Sequence, residues 1–87
     1  MTETNSVEEQ LKTEIKKWMG KLGKSIDQTK AMSPKGIDFL TNIRAYQSDS
    51  LHFYNKNDLV RSFEALIYAW GILETAVQTG DLQSKPL

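Results

Sequence analysis

The sequence predicts an all-α fold, a bundle of three helices running up-down-up with the third helix central. Three observations carry that expectation. Apolar residues recur at spacings of three and four in three separate stretches. Polar breaks at Pro34 and at Asn55-Lys56-Asn57-Asp58 separate those stretches. The third stretch is apolar over an arc of roughly 220°, too wide for one neighbour to cover.

The first helix is expected over about residues 6–30. Ser6-Val7-Glu8-Glu9 reads as a capping box, with the Ser hydroxyl and the Glu9 carboxylate each satisfying a free amide of the first turn. Val7, Leu11, Ile15, Trp18, Leu22 and Ile26 then form one stripe at spacings of four, four, three, four and four. Gly20 and Gly23 fall off the stripe. Each weakens the helix by about 1 kcal/mol relative to Ala without opening the core. The pattern stops near Met32-Ser33-Pro34, because proline disfavours helix at the residue before it.

The second helix is expected over about 36–54. Phe39, Leu40, Ile43, Tyr46, Ser50, Phe53 and Tyr54 share one face. Asp58 is the favoured N-cap of the third helix. That helix, about 58–79, carries Leu59, Phe63, Leu66, Trp70, Leu73 and Val77 at four, three, four, three and four. Beside that seam runs a row of small residues, Ser62, Ala65, Ala69 and Ala76, with Ile72 among them. Small side chains let a partner helix approach closely. Ile67 lies on the far flank, and Gly80 is placed to close the helix. Trp18 and Trp70 are both expected to reach the core. The tail 80–87 lacks periodicity and is expected to fray.

Composition narrows the function classes. Eighty-seven residues make one small domain. No run approaches the ~20 apolar residues of a membrane span, so no membrane partner is expected. The polar start Met1-Thr2-Glu3-Thr4-Asn5-Ser6 has no apolar core of a signal peptide. With no Cys, disulfide scaffolds, thiol catalysis and Cys-ligated zinc are excluded. Eleven basic residues balance eleven acidic ones, so no overall field draws the chain to nucleic acid. The balance is not local: seven lysines lie between Lys12 and Lys35 against Glu14 and Asp27.

The chemistry-bearing residues are sparse. His52 is the only histidine, and its helical neighbours Asn55 and Lys56 make no metal site. Asp38, Asp49, Asp58, Glu64 and Glu74 are scattered, and phosphate-binding glycine loops and nucleophile elbows are missing. Neither catalysis nor a cofactor is expected. Across the second turn Asp49 and Glu64 can approach, with Arg61 expected to pair with Asp49 beside Tyr46 and Tyr68. Tyr46, Asp49, Arg61, Glu64 and Tyr68 therefore make the candidate partner surface. Together with Met19, Tyr54 and Ile67 they suggest an apolar strip for an unknown protein partner or a weak homodimer. The alternative is weak nucleic-acid or phosphate binding through Lys12 and Lys16 on one flank of the first helix and Lys17, Lys21 and Lys24 on the other. Lysines surrounding a helix wherever it is not apolar are what a solvated face looks like, so this reading is not favoured.

One pattern is recognisable: Ala45-Tyr46, Asp49-Ser50 and Phe53, then Asn57-Asp58 and Arg61-Ser62-Phe63-Glu64-Ala65, then Tyr68-Ala69-Trp70-Gly71 and Leu73-Glu74. It resembles a small archaeal family of domains of unknown function, numbered 357, best over residues 45–76. Asn57, Ser50 and Glu74 depart from the expected Gly, Ala and Asp. The resemblance implies a three-helix bundle similar to a spectrin repeat and an archaeal, cytosolic origin. It implies no activity, cofactor or catalytic residue.

Overall fold

The computed structural model describes residues 6–84, the side chain of Ser6 excepted. Five elements run in order: α1 (Ser6–Asp27), β1 (Thr29–Ala31), α2 (Pro34–Asn55), α3 (Leu59–Thr79) and β2 (Leu82–Ser84). The helices form the expected bundle. Ile15, Leu22 and Ile26 of α1 meet Ile43 of α2 and Leu59, Leu66, Ala69, Leu73 and Ala76 of α3 in one core. α3 is central, packing against both other helices, whereas α1 and α2 scarcely touch.

The small row explains the tight α2–α3 hairpin. Ser62, Ala65, Ala69 and Ala76 are all buried, more completely than Phe63, Trp70 and Val77 of the seam beside them. With so little side chain between them the backbones come close enough for Ser50 and Ser62 to bond reciprocally. Ser50 Oγ donates to the Ser62 carbonyl at 2.8 Å, and Ser62 Oγ to the Ser50 carbonyl at 2.7 Å. Buried hydroxyls require such partners. The turn feeding this hairpin is as local chemistry dictates: Asn57 takes φ 61°, and the Asp58 carboxylate accepts from the Arg61 amide. At the other end Gly80 closes α3 with φ 85°, a left-handed angle that a glycine adopts without strain.

α1 runs parallel to α3. Val7 and Leu11 lie beside Leu59 and Val60 at one end, and Ser25 beside Leu73 and Val77 at the other. The molecule is accordingly long and thin, 52 × 23 × 17 Å.

The structure corrects several expectations. α1 ends at Asp27, not near residue 30, and the tail does not fray through 84. Thr29–Ala31 and Leu82–Ser84 instead pair antiparallel, Thr29 with Ser84 and Ala31 with Leu82. The strand carries Leu82 into the core, where it is fully buried, and that burial holds the tail down. Residues 85–87 of the tail lie outside the described residues, as does the Ser6 half of the capping box. α2 begins at Pro34 rather than 36, because Ser33 caps it by accepting from the Gly36 amide and proline is preorganised for the first turn. A Cβ on Gly36 would strike the Asp81 carbonyl, so only glycine lets the returning chain lie across this helix start.

Trp70 packs half-buried against the core as expected, but Trp18 stays at the rim. Trp18 is 37% exposed and meets the half-buried Trp70 edge to face, ring centroids 5.7 Å apart. An indole N–H buried without a partner is costly, and here both are satisfied. Trp18 Nε1 donates to Glu14 Oε1, and Trp70 Nε1 to the Trp18 carbonyl.

Candidate interaction surface on the third helix

α3 has four sides, and the bundle covers only part of them. The small row faces α2 and the leucine seam faces α1, which leaves an outward stripe of Val60, Glu64, Ile67, Gly71, Glu74 and Gln78. These are spaced four, three, four, three and four, a second heptad-like row, and every one is exposed. Its apolar members are unusually open: Val60 is 64% exposed, Ile67 52%, and Tyr68 on the adjoining edge 61%.

Two shallow hollows flank this stripe. On the α1 side about 300 Å³ opens between Trp18, Phe63, Leu66, Ile67, Trp70, Gly71 and Glu74. On the α2 side about 440 Å³ opens between Phe39, Ile67, Tyr68, Gly71, Ile72, Thr75 and Ala76. Ile67 and Gly71 line both, so Ile67 is a knob and Gly71 a notch on one ridge. Nothing approaches within 4 Å of where a Gly71 side chain would begin. A glycine in a helix interior weakens it by about 1 kcal/mol relative to Ala. No contact within the bundle requires this one.

Aromatic pairs wall the hollows. Tyr46 and Tyr68 stack across α2 and α3 with centroids 5.4 Å apart, and Trp18 and Trp70 close the α1 side. Of the five residues singled out for a partner surface, Tyr46 and Tyr68 are in contact, with Asp49 and Glu64 exposed nearby on α2 and α3. Arg61 departs from expectation. It pairs with Asp58, Nη1 to Oδ2 at 3.0 Å, not with Asp49. A partner three residues away is already held in place by the cap, and reaching across the hairpin would order a longer span of side chain.

The lysines divide as their spacing suggests. Lys12 pairs with Glu8 at 3.7 Å on one flank, and Lys16 is exposed. On the other flank Lys21 Nζ lies 4.4 Å from the centre of the Trp18 ring and Lys17 Nζ 5.7 Å, with Lys24 exposed a turn further on. These cations lean on the aromatic rim of the α1-side hollow. His52 is exposed and packs on the Phe53 ring. Among the described residues no group of three His, Asp or Glu is arranged to hold a metal. None of their helices is long and apolar enough to cross a membrane.

Sequence reasoning missed Trp18, Gly71 and Glu74 as parts of this surface. The signal was present: a glycine inside a strongly patterned helix, on a second four-three row that the first row outshone.

Comparison with known proteins gives the fold a family but no activity. The chain is similar to the crystal structure of protein AF1782 from Archaeoglobus fulgidus, at TM-score 0.83 and 36% identity, covering 92% of this chain and 100% of that one. No curated protein matches it. A family model described as a protein of unknown function, DUF357, matches residues 8–82, from the first turn of α1 to the first residue of β2. The match spans every helix that builds the exposed face as well as the core beneath it, and the chain belongs to the DUF357 family.

Proposed function

We propose that the protein is a non-catalytic helical interaction module whose partner docks on the outward face of α3. One observation carries the reading: Ile67 stands exposed between two apolar hollows, with Tyr68 exposed beside one of them, on the helix that is otherwise the most buried. Contiguous apolar surface of this kind on a water-exposed protein marks an interface. Charged residues at the rim, Glu64, Glu74 and Asp49 with Lys21 and Lys17, provide orientation around the apolar centre. A chain without cysteine suits the reducing cytoplasm, where we place its work.

Capture from cell extract tests the reading. Protein bound by the native chain should survive nuclease treatment and be lost with Ile67→Asp or Tyr68→Asp, while circular dichroism stays unchanged. Capture that ignores both substitutions would move the interface elsewhere. The second reading, phosphate or nucleic-acid contact, draws on Lys17 and Lys21 standing beside the Trp18 ring, with Lys24, Lys16 and Lys12 contributing charge. Binding of that kind falls steeply with salt and disappears with nuclease. The carboxylates of Glu14 and Glu74 at the same rim weigh against it.

A further inference from the structure

Resting on that reading, we infer that the outward face of α3 is built to pair with a second copy of itself, antiparallel, about a two-fold axis midway between Ile67 and Gly71. Register is what points there. A closed pair uses the same patch twice, so every knob must find its notch one reflection of the numbering away. On α3 the knob Ile67 and the notch Gly71 are one helical turn apart on a single ridge. An axis across the helix at the level of residue 69 lays Ile67 of each copy over Gly71 of the other. The hollows on either side of the ridge take the rest of the two isoleucine side chains. Missing side-chain bulk at Gly71, idle in a single bundle, allows the two backbones to approach.

Charge supplies an independent check on that axis. Trp70 Nε1 donates to the carbonyl of Trp18, 52 residues away, which fixes how α1 lies alongside α3. The level of residue 69 on α3 therefore falls beside the Trp18 turn of α1, with Glu14 one turn before Trp18 and Lys21 one turn after it. Both of these contact Trp18 at the rim, Glu14 through the indole N–H and Lys21 over the ring. The same two-fold that seats Ile67 on Gly71 brings Glu14 of each copy opposite Lys21 of the other. It also sets Lys17 near the axis against Lys17 of the other copy, a like-charge contact that limits the strength of the pair. Glu64 and Glu74 would be level in such a pair, but they lie about 80° apart around the helix, so they do not stack.

The area sets the strength. The stripe from Val60 to Gln78 is about 27 Å long and the face about 20 Å wide, roughly 500 Å² on each copy. Stable interfaces use about 800 Å² on each partner. The pair should be weak, forming between micromolar and millimolar protein.

The natural absence of cysteine makes the test direct. Single variants Ile67→Cys and Gly71→Cys, mixed and oxidised, should yield the mixed disulfide several-fold over either self-pair. Glu14→Lys and Lys21→Glu should each weaken association in sedimentation equilibrium, and the double exchange should restore it. Gly71→Leu should leave the helical signal intact and abolish association. A chain that stays monomeric at millimolar concentration overturns the inference, as does a mixed disulfide no more abundant than the twofold excess over each self-pair that random pairing of an equimolar mixture gives. If either happens while Ile67→Asp still abolishes capture from extract, the interaction reading stands and only the second copy is lost as its partner.

Discussion

Ser50 and Ser62 are the two fully buried hydroxyl residues at the α2–α3 contact, and each bonds the carbonyl beneath the other. Their oxygens are also 3.1 Å apart, so the two bonds share one small polar island. Ser50→Ala or Ser62→Ala alone should cost about 1 kcal/mol, since a bond is lost and a hydroxyl is left with fewer partners. The double variant should cost less than the sum, because the second change removes a group already under-satisfied. Urea unfolding of the four proteins measures this coupling. Caps offer a comparison at the same scale. Asp58→Ala removes one amide bond and an exposed ion pair with Arg61 that adds little, and should cost about 1 kcal/mol. Ser33→Ala should cost more, because Ser33 accepts from the Gly36 amide and also donates to Asp81 Oδ1 at 2.8 Å. Asp58 was legible in the sequence since the turn before it is entirely local. Ser33 was not, because Pro34 reads equally well as the end of one helix and the first residue of the next.

At the scale of elements, what the sequence made legible was what repeats. Each helix carries a stripe of five or more apolar positions, enough for period and face to be read together, and the small row of α3 announced its close neighbour. Ala69 is fully buried against that neighbour. Ala69→Leu should therefore destabilise by about 1 to 3 kcal/mol through overpacking, against little effect at an exposed site, as thermal melts will show. β1 and β2 were illegible because three residues hold no alternation to read. Their pairing is decided by residues 55 apart, Thr29 and Ser84, and by Leu82 reaching the core. Asp81 anchors this return. Its carboxylate accepts from Thr79 Oγ1 and Ser33 Oγ, with Lys35 near. The hydrogen bond from Thr79 first, then that from Ser33 and the charge of Lys35, hold it below the usual carboxylate value of 3.8. A group whose folded pKa is depressed stabilises the fold above its unfolded pKa and loses that contribution as pH falls through the folded value. The difference in urea stability between the native chain and Asp81→Asn should thus be level from about pH 5 to 8 and shrink below about pH 4. A difference that grows on acidification would mean the carboxylate is not anchoring the strand.

At the scale of the whole molecule, the exposed face was half legible. The tyrosines at the hairpin edge could be read as a strip, and Ile67 stood off the main seam of its helix. The α1 side stayed hidden because Trp18 belongs to an apolar stripe, and a stripe does not reveal how far its last large ring protrudes. Nor can spacing alone show that the face is centred on the bundle: residue 69 is the midpoint of α3, Leu59–Thr79. That placement gives the association a shape. The single chain measures 52 × 23 × 17 Å with a radius of gyration of 14.3 Å. Two copies crossing at the middle of α3, with those helices about 9 Å apart, gain thickness and almost no length. Small-angle X-ray scattering across a concentration series should therefore show the forward intensity per unit mass rising towards double. The radius of gyration should grow by only a few ångströms, and the maximum dimension should stay near that of one copy. Pairing through the β1–β2 end instead would set the long axes in line and carry the maximum dimension towards twice 52 Å. Gly71→Leu separates these cases, since it should cancel the concentration dependence of a crossed pair and leave an end-to-end pair untouched.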